Sequence, residues 1–325
     1  MPKPRVLVLA LGGTIASVPE SGRSAAVPRL GPEELLAAVP GIGESARIEA
    51  ESLRTSPSGD LTVRDVTELA EVIRTRPADG FVITQGTDTL EETSYLLDLL
   101  LGAGGPPVVL TGAMRNPSLP GADGPANLLA AVRVAAAPQA EGLGPLVVLA
   151  DEIHLARYVR KSHSSSVTAF DSPNAGPVGR VHEGKVRIPL APRHHPPPLQ
   201  VLGERVPSVG IVKFGLGSGP LLPQHAAGHD GMVLEVFGGG HVPSFAVDSL
   251  AELNERIPVV FAGRTGGGEL YEATYGFPGS EQDLLGRGLI SGVAFDGVKA
   301  RLLLTVLLAA DADRPAIKAR FAAEP

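Results

Sequence analysis

Two threonines stand directly after a glycine where an apolar run ends: Thr14 in "RVLVLALGGTIAS" and Thr87 in "GFVITQGTDT". A threonine hydroxyl becomes a useful nucleophile only when a base takes its proton or its effective pKa falls. No histidine lies close in sequence to either residue. A lysine can act as that base once burial favours its neutral form, and Lys161 in "YVRKSHSS" is the candidate. Asp88, next to Thr87, could orient the lysine or hold a substrate ammonium. Threonine, lysine and aspartate together have the nucleophile-base-orienter logic of a hydrolase triad.

Each of these residues also has a plainer role. "Thr89-Leu90-Glu91-Glu92" has the S/T-x-x-E form of a capping box. Asp88 can be a charge favoured by a helix dipole and nothing more. Thr14 after Gly-Gly fits a turn or a cap. Lys161 lies beside Arg157 and Arg160, and such a cluster reads equally well as a solvated face. Local pattern leaves both roles open. The Gly-rich stretches "GLGSG" (215–219) and "GGGH" (238–241) make neither a P-loop nor a dinucleotide fingerprint. His194 and His195 sit in a Pro-rich stretch and are expected to be exposed rather than to ligate a metal.

These side chains meet only if the fold brings their loops together. The runs 5–10, 80–84, 106–112 and 145–151 are short and rich in Val, Ile and Leu, as strands buried on both faces of a parallel sheet are. Helical patterns over 31–39, 62–75, 90–101 and 124–137 alternate with them, which predicts an α/β fold. In such sheets ligands sit beyond the carboxyl ends of strands, near a switch in strand order. From 151 to 181 no helical period appears, and the segment reads as extended arms. "PLAPRHHPPPLQ" is Pro-rich without periodicity, so a linker is placed at 189–206 between an N-terminal domain, 1–188, and a smaller C-terminal α/β domain, 207–325. The second domain has strand-like runs at 208–214, 231–237 and 257–263 and helices at 245–255 and 296–311.

Composition narrows the partners. A net charge of −7 argues against nucleic acid, because phosphate binding needs a cationic surface. With no cysteine there is no disulfide, thiolate metal site or cysteine nucleophile. No apolar run reaches the roughly 18 residues that span a bilayer, so no membrane partner is expected. "MPKPRVLVLALGG" lacks a cleavage pattern and reads as a first strand rather than a leader, and a cytoplasmic location is the expectation.

Taken together, the motifs resemble the bacterial-type L-asparaginase (asparaginase/glutaminase) family. "LALGGTIAS" (9–17) is similar to its first signature and "VITQGTDTLEETSYLLDLL" (82–100) to its second. "VVLTGAMRNPSLPGADGPANLLAAV" (108–132), "VRKSHSSSVTAFDSPNAGPVG" (159–179) and "KARLLL" (299–304) follow in family order. The resemblance implies a larger N-terminal domain with a mainly parallel, flavodoxin-like sheet and a smaller C-terminal α/β domain. It implies hydrolysis of L-asparagine to L-aspartate and ammonia with no metal or organic cofactor. Thr14 is then the nucleophile, and Thr87, Asp88 and Lys161 form the group that activates water or the nucleophile. Asp88 also takes the substrate ammonium, and Ser58 with Gly59 the α-carboxylate. It further implies a homodimer or homotetramer with intersubunit active sites, to which Glu269 and His241 contribute.

Three positions depart from the family pattern. The segment after Thr14, "SVPESGRSAAVPRLGPEELL", has no tyrosine where the family's lid carries one; the aligned position falls at Ala25 or a near neighbour. Gly59 replaces a common glutamine, and Gln85 a common histidine. These departures keep two alternatives open: an amidase for glutamine or another small amide, and a catalytically weak amino-acid-binding protein on the same scaffold.

Overall fold

The structure, a computed structural model, describes residues 2–13, 15, 17–19, 26–28, 31–200, 205–218 and 226–323. Thr14 and Ala25 lie outside the described residues. Two compact units divide the chain, Met1–Pro198 and Leu199–Pro325.

The first unit contains strands β1 (Arg5–Ala10), β2 (Ser17–Pro19), β3 (Ala26–Pro28), β4 (Arg47–Ser52), β5 (Gly80–Thr84), β6 (Val108–Thr111), β7 (Leu146–Leu149), β8 (Glu152–Leu155), β9 (Arg160–Lys161), β10 (Phe170–Asp171), β11 (Gly179–His182) and β12 (Lys185–Arg187). Its helices are α1 (Pro32–Ala37), α2 (Val63–Thr75), α3 (Leu90–Leu101) and α4 (Gly124–Ala135). Eight strands form one sheet in the order β12-β11-β8-β7-β6-β5-β1-β4. The run β4-β1-β5-β6-β7 is parallel, and the three remaining strands add antiparallel. The parallel part has the 2-1-3-4-5 order of a flavodoxin-like sheet.

The chain leaves β1 for β4 on one side and returns to β5 on the other, so the strand order switches between β1 and β5. Their carboxyl ends are in register at Ala10 and Thr84, and the Leu11 N–H bonds the Thr84 carbonyl at 2.8 Å. The loops that leave these two ends therefore start side by side. Both faces of the sheet are covered. Leu128, Ala131 and Val132 of α4 pack among Val8, Val82 and Val109. The alternate residues Leu9, Phe81, Ile83 and Leu110 are just as buried, with α3 lying against β6 and β7 and packed beside α2.

Helix α3 is apolar nearly all round, as expected for a helix enclosed by its neighbours; Leu96, Leu97, Leu99 and Leu100 are buried. The capping box expected at its start is not made. Thr89 forms no cap bond with its side chain, and its hydroxyl donates instead to the Ser58 carbonyl at 2.8 Å. The hydroxyl is used to tie two loops together, and the helix start is left to the short 3₁₀ turn Thr87–Thr89.

The histidine expectation needs a further correction. His194 is exposed, but His195 is mostly buried, and its Nε2 lies 2.9 Å from Asp98 Oδ1 and 2.7 Å from an Arg157 guanidinium nitrogen. The Pro-rich chain runs against the first unit because a buried carboxylate on α3 gives the ring a partner.

The second unit is a four-stranded parallel sheet, β13 (Val209–Lys213), β14 (Gly231–Val236), β15 (Val259–Gly263) and β16 (Ile290–Ser291), in that spatial order. Its helices are α5 (Val247–Arg256), α6 (Glu281–Gly286), α7 (Gly297–Ala309) and α8 (Arg314–Ala323). Leu250 and Leu253 of α5 join Leu234, Val236 and Phe261 in its core. No helix among the described residues is long and apolar enough to cross a membrane.

Candidate active site

Glycine geometry brings the two Gly-Thr loops into contact. Gly12 and Gly13 have φ of 99° and 91°, the left-handed region that glycine occupies without penalty. A Cβ on Gly13 would lie 2.0 Å from the Gly86 nitrogen, and one on Gly12 2.8 Å from the Ser56 carbonyl oxygen. On Gly86 a Cβ would meet Ser58 Oγ at 2.7 Å. The loop after β1, the loop after β5 and the Ser56–Ser58 turn are thus in backbone contact that no side chain could enter. Gly13 is the last described residue before the first candidate threonine.

At the end of β5, Thr87 is buried and Asp88 faces solvent. Lys161 reaches both: its Nζ donates to Thr87 Oγ1 at 3.0 Å and to Asp88 Oδ1 at 2.6 Å. The lysine side chain is 15 % exposed and that of Asp88 80 %, so the contact joins a sheltered hydroxyl to a solvent-facing carboxylate. Residues 73 and 74 apart in sequence are brought together by the fold. The three cations Arg157, Arg160 and Lys161 are not one solvated face: Arg157 turns into the interior against Asp98 at 3.0 Å, while Lys161 turns to Thr87.

Ser58 is buried, and its Oγ has no hydrogen-bond partner. An unmade hydrogen bond on a buried hydroxyl is costly, and it is a ready donor for an anionic group entering beside Gly86. Gly59 is exposed, and a Cβ there would meet nothing within 4 Å. Gln85 is fully buried; its Nε2 lies 3.3 Å from the Gly86 carbonyl, and its Oε1 has no partner. It braces the turn that presents Thr87.

Glu269 and His241 belong to the second unit. Glu269 is exposed. The His241 ring packs edge-on to Tyr275 and Phe277, with centroids 5.2 and 5.1 Å away, and its Nε2 lies 3.2 Å from Glu281. Glu281 was not singled out by the motifs. Burial pushes its carboxyl up, but N–H groups of Tyr275 and Thr274 and the His241 ring outweigh that and hold it below the usual carboxylate range. It fixes the stretch that carries Tyr271, Tyr275 and Phe277, all exposed.

A second constellation has triad chemistry without triad access. His154 Nδ1 lies 3.0 Å from Ser172 Oγ, and its Nε2 3.4 Å from Glu152. Ser172 and His154 are both buried, so no carbonyl carbon can approach the hydroxyl. Burial lowers the His154 pKa, against the opposing charges of Glu152 and Asp171. A lowered histidine pKa means the unfolded chain binds the extra proton first. The stability His154 contributes is complete above its unfolded pKa of about 6.5 and is lost as pH falls below that towards the folded value. The thermal midpoint is expected to climb between about pH 5 and about pH 7, and His154→Gln to flatten that part of the curve; an unchanged curve would count against the assignment.

Among the described residues no group of three or more His, Asp or Glu is placed to hold a metal. Residues 5–193 match a family model described as asparaginase, N-terminal, and residues 208–321 one described as glutaminase/asparaginase C-terminal domain. The chain is 38 % identical over 315 residues to an L-asparaginase of Bacillus licheniformis, covering 94 % of this chain and 95 % of the relative. It is 34 % identical to L-asparaginase 2 of Escherichia coli K12 and 34 % identical to a probable L-asparaginase periplasmic of Haemophilus influenzae, each covering 98 % of this chain and 92 % of the relative.

Proposed function

Since the chain belongs to the asparaginase family and carries both its N-terminal and its C-terminal domain, we propose that it is an L-asparagine amidohydrolase. One observation carries the reading furthest: Thr87, Lys161 and Asp88 meet beyond the carboxyl end of β5, at the switch in strand order. Open α/β sheets bind small ligands at that place.

In this account the hydroxyl of Thr14 adds to the side-chain amide carbon, and the amide nitrogen leaves as ammonia once protonated. An ester of Thr14 remains. Water then adds to the ester carbonyl, releasing aspartate and restoring the hydroxyl. Thr87 and Lys161 move the protons these steps need, with Nζ and Oγ1 3.0 Å apart, within proton-transfer reach. Stabilising the developing oxyanion falls to backbone N–H groups of the Gly-Thr turns. The solvent-facing carboxylate of Asp88 receives the substrate ammonium as a charge-assisted contact, and the orphan Ser58 hydroxyl donates to the α-carboxylate.

The open space at Gly59 supports a second reading of the substrate. With no side chain there, the amino-acid end is gripped less closely, and glutamine or another small amide can compete. Ammonia release from asparagine, glutamine and related amides decides between them. Ser58→Ala is expected to raise the KM for the preferred amide by roughly 10–100-fold with little change in kcat, since a hydrogen bond to a charged group contributes about 1.5–3 kcal/mol. An unchanged KM would remove Ser58 from the carboxylate site.

Assembly into a homodimer or homotetramer is part of the same reading. The exposed Tyr271, Tyr275 and Phe277 beside Glu269 and His241 suit contact with a second copy, because large aromatic side chains dominate interface energetics. The Haemophilus relative is named periplasmic, so that comparison lends no support to a cytoplasmic location.

A further inference from the structure

The Thr87–Lys161 contact is only as good as the placement of the chain that carries the lysine. Residues 157–161 are a turn followed by the two-residue strand β9, paired among the described residues only with β10. Such a short ladder fixes little by itself. Helix α3 grips this segment at two points. The carboxylate of Glu91 accepts the backbone N–H of Lys161 itself. Two turns further on, Asp98 Oδ2 accepts from Arg157 at 3.0 Å, with both side chains buried. Seven residues along a helix return to the same face, so Glu91 and Asp98 face the same length of chain. Thr87 and Asp88 lead into that helix. The hydroxyl and both grips therefore belong to one rigid element.

We propose that Glu91 is a positioning residue for amide hydrolysis, setting the distance from Lys161 Nζ to Thr87 Oγ1 by holding the lysine backbone. The proposal rests on the functional reading above. Glu91 acts through Lys161, whose backbone N–H its carboxylate accepts. Its carboxylate stands in the first turn of α3, where a helix favours negative charge, and the bond to the amide is charge-assisted and directional. Arg157 and Asp98 hold the same segment at its other end, in the turn before the strand. A proton relay tolerates little error: a misplacement of about 1 Å costs roughly 100-fold in rate.

The test compares Glu91→Ala with Glu91→Gln, which keeps a carbonyl oxygen as acceptor. Glu91→Ala is expected to lower kcat for L-asparagine by roughly 10–100-fold with KM nearly unchanged, and Glu91→Gln to recover most of the loss. The amide proton resonance of Lys161 is expected to move upfield in Glu91→Ala and to stay near its place in Glu91→Gln. A Glu91→Ala protein that melts earlier but keeps the wild-type kcat per folded molecule would overturn the proposal. If the wild type releases no ammonia from any amide, the functional reading fails, and the Lys161 amide shift then decides the grip alone: an unmoved resonance overturns it.

Discussion

Lys161→Met is expected to lower the rate of ammonia release from L-asparagine by roughly 1,000–10,000-fold while leaving the fold intact. Proton transfer by a positioned side chain contributes about 100–10,000-fold, and the upper part of that range applies because Nζ is the group that reaches Thr87 Oγ1, at 3.0 Å. Methionine keeps the length and apolar stem of a side chain that is largely sheltered, so packing is retained. The carboxylate left behind, Asp88, faces water and stays solvated without its partner, so the folding cost is small. Asparagine binding is expected to persist in the variant, because Ser58 and Asp88, the proposed substrate contacts, are untouched. A folded Lys161→Met enzyme within tenfold of the wild-type kcat would remove the lysine from the relay.

Arg157→Ala is expected to destabilise the N-terminal unit by about 3–5 kcal/mol, the cost of leaving one member of a buried ion pair uncompensated. Arg157 and Asp98 are 3 % and 4 % exposed and 3.0 Å apart, with His195 against the same carboxylate. Removing the guanidinium leaves Asp98, on a helix face rich in buried leucines, with the His195 ring in place of a permanent cation. Total stabilities of about 5–15 kcal/mol make this a large fraction. The chain has no tryptophan, so urea unfolding followed by far-UV circular dichroism is the suitable measurement, read as a drop in midpoint. Replacing the pair together, Asp98→Leu with Arg157→Met, is expected to restore much of the loss, because apolar residues of similar volume replace buried ion pairs at little cost. A single variant with an unshifted midpoint would mean that the pair contributes nothing net.

Much of the scaffold is legible in the sequence because its cause is local. The Val- and Leu-rich runs end where β1 and β5 end, and α3 covers the same residues, 90–101, as its apolar pattern. Strand β4 escapes notice because "RIEAES" alternates charged and uncharged residues at a sheet edge, with no continuous apolar run. Helices α6 and α8 escape for a similar reason: α6 is six residues long, and α8 buries only Ile317 and Phe321.

The site is legible in its parts and not in its geometry. Local pattern cannot tell whether Arg157, Arg160 and Lys161 share a face, because their partners lie 59 and 74 residues away. Asp98 carried a signal that could have been used: one carboxylate inside "SYLLDLLL" must be paired if that helix is buried. Thr89 matches a capping box and does not make one, since the Ser58 carbonyl, set by another loop, takes its hydroxyl. His195 follows the same rule, its exposure decided by Asp98 rather than by its Pro-rich neighbours.

The most direct measurement is ammonia and aspartate release from L-asparagine by the wild-type protein and by Thr87→Val, side by side at equal folded concentration. Valine keeps the shape of the threonine and deletes the Oγ1 that lies 3.0 Å from Lys161. The account predicts equal amounts of ammonia and aspartate from the wild type and a rate at least about 1,000-fold lower from the variant. Turnover by Thr87→Val at the wild-type rate, or none by the wild type, would contradict it.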